Sequence, residues 1–329
     1  MTEALVEIGI GETRGAIVEQ GEIVEAWIER EGLRAGAIVQ AKLATRLANG
    51  RRGIAQAADG TELLLEPLPA ATPVGATLLV EIVREPIPEE GRPRLAKAVA
   101  AAPGETVRDG PSLADRFAGM GLSPVVLSPA GPDRLEAAGW SELIEEATSG
   151  DIAFPGGRLR LSLTPAMTLF DVDGELPPFE LARAGARAAG LAIRRLGIGG
   201  SIGIDLPTLA NRAERLAAAE ALDAALPQPF ERTAVNGFGF LQVVRRRTRA
   251  SLPELLRADP VLAATLGLLR RAGREPPGAA TLVAHPLIVG LLAERTDWLE
   301  SLGASRGGAA GLRADAAMAI SGGHVETRR

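Results

Sequence analysis

The chain has 329 residues and a formal net charge of −5, which argues against a protein that coats nucleic acid through bulk positive charge. With no cysteine and two histidines, His285 and His324, it has no material for a disulfide, a thiolate site or a three-histidine zinc site, so no zinc is expected and hard, oxygen-ligated metals remain open. Acids stand among the first residues where an export signal needs bases, and the apolar stretch 276–293 is broken by Pro277, His285 and Pro286, so the expectation is a cytoplasmic protein without a membrane span.

Two or three compact units suit this length. Residues 4–9, 15–19 and 23–29 alternate or run apolar around Gly21 and Glu22, which predicts three short strands in a meander. Further short apolar runs punctuated by glycine follow over 36–98: 37–43, 53–57, 62–65 and 77–83. About five strands there suggest a small barrel of the OB type. Residues 85–93 read as a turn-rich loop, and 103–135 as a Gly-, Pro- and Ser-rich connector with one short helical segment.

The second half alternates strand and helix. Arg158–Leu163 is a strand, a second run ends in Leu169-Phe-Asp171-Val-Asp173-Gly174, and a helix spans 179–196, closed by Gly197. Ser201–Asp205 is a buried-type strand and 209–226 a second helix. Parallel strands joined by a crossover helix are the natural arrangement. A strand at 232–235 leads to Gly237-Phe-Gly-Phe240 and a basic helix through Arg249. A small α/β unit completes the chain, with helices at 260–271 and 286–302, a strand at 280–283 and one or two strands near 311–320. Pro260 and Pro286 support the helix starts.

Asp171, Asp173 and Asp205 are the sharpest constellation. Asp171 and Asp173 share one face of an extended segment, and Asp205 ends the strand beyond the crossover. The carboxyl ends of the two strands therefore meet at one sheet edge, where α/β sites usually lie. Converging carboxylates call for a cation, and magnesium takes one or two of them while keeping several waters. Each aspartate taken alone also suits a turn or a helix cap. Two other patterns are decoys. Gly199-Gly-Ser201-Ile-Gly203 mimics a hydrolase elbow or a phosphate loop, but it closes a helix and opens a strand, the reverse of what either needs. His285, before Pro286 at a helix start, reads as structural.

Three ordered segments resemble the ribonuclease E/G family. Gly156-Gly-Arg-Leu-Arg-Leu-Ser-Leu-Thr-Pro-Ala-Met-Thr-Leu-Phe-Asp171-Val-Asp173 is similar to its glycine-glycine strand leading to Ile-Asp-Val-Asn. Leu196-Gly-Ile-Gly-Gly-Ser-Ile-Gly-Ile-Asp205 is similar to its Leu-Gly-Gly-Ile-Ile-Val-Ile-Asp strand. Gly237-Phe-Gly-Phe-Leu-Gln-Val-Val-Arg-Arg-Arg-Thr-Arg-Ala-Ser-Leu252 is similar to its Phe-Gly-Leu-Leu-Glu-Met-Thr-Arg-Gln-Arg stretch, and 11–16 and 28–31 match its amino-terminal segments more weakly.

The resemblance implies a mixed α+β and α/β multidomain chain. A ribonuclease-H-like domain would be split between 1–35 and 101–150, with an OB-type RNA-binding barrel (36–100) inserted. A deoxyribonuclease-I-like catalytic subdomain (151–255) and a small carboxyl-terminal α/β domain (256–329) would follow. It implies a magnesium- or manganese-dependent endoribonuclease acting on single-stranded RNA, with Asp171 and Asp205 catalytic and metal-binding. Asp173, where the family has asparagine, is a third ligand or orienting group. Arg245, Arg246, Arg247 and Arg249 would contact phosphates.

Lys42, Arg46, Arg51, Arg52 and Lys97 are the barrel's candidates for RNA binding, although no aromatic residue lies between Ile28 and Arg116 to serve as a stacking platform. The family's zinc-binding cysteine pair is absent, so any homodimer would form by another route. The span between barrel and catalytic strand is too short for the family's lobe that reads the RNA 5′ end. The loop after Asp173 is cut to a few residues, and Leu206-Pro-Thr-Leu209 replaces a segment that carries a further aspartate in the family. The alternatives are an RNA-binding protein of the same descent that does not cut, and an assembly scaffold.

Overall fold

The computed structural model describes residues 2–48, 50–89, 93–129 and 131–327. The chain opens with β1 (Thr2–Ile8), β2 (Glu12–Glu19) and β3 (Glu22–Arg30) in the expected antiparallel meander. Glu19 pairs with Glu22 across a two-residue loop in which Gln20 and Gly21 both have positive φ. That turn matches the right-handed twist of the flanking strands.

The strands β4 (Ile38–Arg46), β5 (Gly53–Ala57), β6 (Glu62–Leu65), β7 (Thr77–Arg84) and β8 (Ala96–Ala100) close into a barrel in the order β4-β5-β6-β8-β7. Only β6 and β8 pair in parallel. Alternation drives the closure: Leu43, Ala55, Leu63, Leu65, Val80, Ile82 and Ala98 are fully buried inside, and Lys42 stays on the exposed side. The loop expected over 85–93 lies partly outside the described residues; Ile87 and Arg94 pair across it.

The expected connector is more ordered than its composition suggests. It carries α1 (Leu113–Gly119) and β9 (Pro124–Leu127) and runs into α2 (Arg134–Ala137), beyond which α3 (Trp140–Ser149) follows. The strand β9 runs parallel to β1 and completes a sheet in the order β3-β2-β1-β9.

Next come β10 (Asp151–Phe154), β11 (Gly157–Leu163), β12 (Thr168–Gly174), α4 (Pro178–Arg195), β13 (Gly200–Asp205), α5 (Arg212–Ala225), β14 (Glu231–Arg232) and β15 (Phe240–Arg245). They form a sheet in the order β10-β11-β12-β13-β15-β14, in which β12 and β13 are the parallel pair. The helix α4 packs on β10, β11 and β12 and against α5. Gly185 permits the approach, since a Cβ there would lie 2.4 Å from Val172. Leu159, Leu161, Phe170, Val172, Ile202, Ile204, Leu241 and Val243 fill the inner side of the sheet. The basic helix expected beyond Phe240 is not formed. Phe-Leu-Gln-Val-Val-Arg is instead strand β15, because its β-branched, alternating residues pair antiparallel with the whole of β13, and tertiary pairing overrides the helix preference of the arginine run.

The remainder holds α6 (Leu252–Ala258), α7 (Pro260–Arg274), β16 (Ala280–Ala284), α8 (Pro286–Glu294), α9 (Thr296–Arg306), β17 (Ala310–Ala314) and β18 (His324–Thr327), with sheet order β17-β16-β18. The single helix expected over 286–302 is two. Arg295 breaks it with φ −104° and ψ 64°, held there by Asp297, Glu31 and the face of Trp298. His285 is structural: its Nδ1 accepts from the Leu287 N–H at 3.2 Å as the cap of α8. Of the strands expected near 311–320, β17 is there, whereas β18 lies further on.

Two compact units emerge. One combines the residues up to 31 with 117–144 and those from 255 onward; the other combines 32–116 with 145–254. The first is tied together by a buried ion network drawn from all three of its segments. Arg14 and Glu7 are each 1% exposed. The Arg14 guanidinium donates to both Glu7 oxygens at 3.2 Å and to Asp133 at 2.6 and 2.7 Å, and lies 5.1 Å from the Trp140 ring centre. Arg274 joins the same two acids, and Arg270 pairs with Glu12 at 3.1 Å.

Candidate functional site

The site lies on the sheet of the second unit, on the side away from α4. Along β11, β12 and β13 the inward residues are apolar, so the intervening positions Arg158, Arg160, Asp171, Asp173 and Asp205 all face solvent. Register then assembles them. Arg160 pairs with Asp171, Asp171 with Asp205, and Asp205 with Phe240. These four residues form a row across four strands spaced about 4.8 Å apart. Arg158 and Asp173 make the next row, about 7 Å further along.

The structure therefore brings Asp171 and Asp205 together as neighbours at the carboxyl end of the parallel pair. It leaves Asp173 one pleat repeat away, 3.7 Å from Arg160. Among the described residues no group of three or more His, Asp or Glu stands close enough to hold a metal ion. The reason is geometric. Across the sheet the row passes from Asp205 to Phe240, and Asp173, one pleat repeat on, has no partner in β13, which ends at Asp205.

The electrostatics reflect this crowding. Partial burial first, and then the negative charges of Asp173 and Asp205, push the Asp171 carboxyl above its ordinary range, while Arg160 opposes them. A divalent cation would relieve such repulsion. Two adjacent carboxylates with open solvent around them fit a hydrated magnesium or manganese ion, which needs few protein ligands, better than a metal in a closed protein cage.

The expected arginine cluster is elsewhere. In β15, Phe240 pairs with Asp205 and Arg245 with Gly200, so the run that starts at Arg245 leaves the sheet about 17 Å from the aspartate row. Arg245 donates to the Ile198 carbonyl at 3.4 Å. Arg247 is held by Glu89 at 3.2 Å and by Glu254. Arg246 is exposed, and Arg249 is half-buried.

Most of the barrel's basic residues are likewise engaged. The Arg46 guanidinium donates to the carbonyls of Gly50, Ala70 and Thr72 and so holds its own loop. Lys97 pairs with Glu66 at 2.9 Å, and Arg52 approaches the same carboxylate at 4.0 Å. The Lys97 ammonium keeps the Glu66 carboxyl below its usual range. Lys42 and Arg51 are exposed.

Sequence reasoning missed Arg158, Arg160 and the loop that leads into Phe240. The arginines were legible as polar positions of an alternating strand, but their nearness to Asp171 depends on register with β12. The loop is built on Asn236, whose Oδ1 accepts from the N–H groups of Phe238 and Phe240 at 2.9 and 3.0 Å. The Leu206 N–H donates to the Gly239 carbonyl at 3.2 Å. Gly239 has φ +95°, and a Cβ there would lie 2.1 Å from the Leu206 carbonyl oxygen, so only glycine fits this turn. No family model and no curated protein matches the chain.

Proposed function

We propose that the protein is a metal-dependent endoribonuclease that hydrolyses single-stranded RNA in RNA processing or decay. The observation that carries the reading is the register pairing of Asp171 with Asp205 on an open sheet face at the carboxyl edge of two parallel strands. Asp171 and Asp205 would hold magnesium or manganese, which when bound lowers the pKa of a water and polarises the phosphodiester. The chain's own residues do the positioning. Arg160 supplies a cationic fork beside Asp171 that can take a phosphate oxygen, and Asp173 restrains that fork by pairing with it. Arg158, one row further along, offers the adjoining phosphate a second contact.

The fold is consistent with the same reading. A β3-β2-β1-β9 sheet with β9 parallel to β1 supports a ribonuclease-H-like unit interrupted between β3 and β9. A five-stranded barrel with a single parallel pair supports an OB-type insertion. The six-stranded sheet backed by α4 and α5 supports a deoxyribonuclease-I-like catalytic subdomain. Among the described residues no helix is long and apolar enough to cross a membrane, and a cytoplasmic site of action goes with an RNA substrate.

A second reading, an RNA-binding protein of the same descent that does not cut, is favoured by one observation: the pairing of Asp173 with Arg160 in place of a third carboxylate at the row. The test is cleavage of a fluorescently labelled single-stranded RNA with magnesium, with manganese and with a chelator. The proposal expects metal-dependent cutting that Asp171→Asn and Asp205→Asn each reduce by at least about a hundredfold while RNA binding survives. Binding without cutting under any metal selects the second reading, and full activity in both variants removes the aspartates from the site.

A further inference from the structure

Phe238 is 86% exposed, and among the described residues it is the only aromatic side chain so displayed. An exposed phenylalanine forgoes about 2 kcal/mol of burial, and its neighbours keep it out. The loop from Asn236 is fixed by two hydrogen bonds to the Asn236 carboxamide and by the Gly239–Leu206 contact, which hold the backbone at Phe238 out on the turn. Two residues later the chain reaches Phe240, the register partner of Asp205. The exposed ring is therefore carried on a rigid turn within a nucleotide's reach of the aspartate row. The barrel carries no aromatic residue between Ile28 and Arg116, so whatever stacking this chain offers a single strand must come from outside it.

We infer that Phe238 is a stacking platform for one unpaired nucleobase, which seats the adjoining phosphodiester over Asp205 and Asp171 between the ring on one side and Arg160 on the other. The inference rests on the reading of this face as the site that cuts single-stranded RNA, and it specifies how the strand is held. Every base presents a π-face, so a single ring binds with little regard to sequence. The platform gives position without base selectivity. It also explains an otherwise costly exposure beside an acidic edge that would by itself repel a phosphate backbone.

The experiment uses the full chain, a fluorescein-labelled single-stranded RNA of mixed sequence, low salt and a chelator, so that binding is read without cutting. Phe238→Ala is expected to weaken binding about tenfold, equivalent to about 1.4 kcal/mol. Phe238→Trp should bind at least as tightly as the wild type, and Phe238→Leu should not restore affinity. Scanning the strand with single abasic sites should reveal one position whose loss costs the wild type as much as Phe238→Ala does and costs the variant nothing further. Unchanged affinity in Phe238→Ala, full rescue by leucine, or an abasic penalty that persists undiminished in the variant would each overturn the platform. A wild-type protein with no RNA affinity would overturn both the platform and the endoribonuclease reading. Normal cutting by Asp171→Asn with the Phe238 effects intact would overturn the assignment of the aspartates alone.

Discussion

Replacing Arg14 by methionine isolates what the buried ion network contributes to the first unit. Arg14 and Glu7 are each 1% exposed, and Arg14 carries hydrogen bonds to both Glu7 and Asp133 as well as the contact with Trp140. Methionine fills much of the same volume but leaves the buried Glu7 carboxylate and the half-buried Asp133 carboxylate short of a partner. Removing one member of a buried ion pair costs about 3–5 kcal/mol. Arg274 still reaches both acids, which places the expectation at the lower end, about 3 kcal/mol. For a domain of this size that is a fall of about 10 °C in Tm, or about 1–2 M in the urea midpoint at ordinary m-values. Arg14→Lys keeps the charge without the planar fork and should fall between the two.

The assay is selective by composition. The chain has three tryptophans and no tyrosine, and Trp27, Trp140 and Trp298 all belong to the first unit. Tryptophan emission therefore follows that unit alone, while far-ultraviolet circular dichroism follows the whole chain. The pH dependence provides a second check. Burial opposes ionisation of Asp133, but hydrogen bonds from Arg14 and from the Glu136 N–H, with the charges of Arg14 and Arg274, outweigh it and hold its carboxyl below the ordinary range. Such a group contributes stability fully above its unfolded pKa and loses it as pH falls through the depressed folded value, so the gap between wild type and Arg14→Met should narrow in strong acid. A fluorescence midpoint displaced by less than about 1 kcal/mol at neutral pH would refute the reasoning, because it would mean that Arg274 alone satisfies both acids.

Three further outcomes are expected. Since Asp171 titrates above its ordinary range, the folded protein binds that proton more tightly than the unfolded chain and gains stability as pH falls through the raised value. Asp171→Asn should therefore stabilise the fold slightly at neutral pH in chelator, by about 0.5 kcal/mol or less for so exposed a group, seen as a small rise in Tm; scanning calorimetry that shows destabilisation would contradict this. Arg158→Ala with Arg160→Ala should flatten the salt dependence of single-stranded RNA binding by about 1.4 in log-log slope, about 0.7 per lost phosphate contact, and substitution of Arg245, Arg246 and Arg249 should change it less; the reverse order in a salt titration would return the site to the far edge of the sheet. Cutting should not distinguish 5′-monophosphate from 5′-triphosphate RNA, because Arg108, Arg116 and Arg134 in the connector are engaged with Glu105, Glu85 and Glu3; an initial-rate preference above about tenfold, about 1.4 kcal/mol, would show a site that reads the terminal phosphate.

How much of this was legible in the sequence follows from the range of the interactions involved. The meander, the barrel strands, β11 to β13 and α4 carry their own signal, because a one-sided apolar surface imposes a period of 2 or 3.6 on residues that are neighbours in the chain. The strand β9 does not. Pro124-Val-Val-Leu127 is four residues long between Gly121 and Pro129, and it is a strand because β1 offers it a parallel partner. The break at Arg295 is equally non-local on one side: Glu294-Arg295-Thr296-Asp297 carries no glycine or proline to end a helix, and Glu31, from the other end of the chain, helps to hold the arginine there.

The candidate site divides along the same line. Spacing alone put Asp171 and Asp205 at one sheet edge, since a right-handed crossover between parallel strands admits no other placement. Spacing could not say which basic residues stand beside them, because that depends on a register shared by four strands, and a slip of one residue would turn Arg160 to the buried side. The arginine run shows the consequence. Its composition favours a helix and its order in the chain suggests the catalytic edge, yet pairing with β13 makes the segment antiparallel and carries Arg245 toward Gly200, at the amino end of the strand whose other end holds Asp205. The residue that β15 does deliver to the aspartates is Phe240, with Phe238 on the turn before it. Arg160 offsets only part of the charge of the acidic pair, so on the proposed reading the rest falls to a bound cation, and metal dependence, rather than the arginine run, is where the endoribonuclease reading is most exposed to refutation.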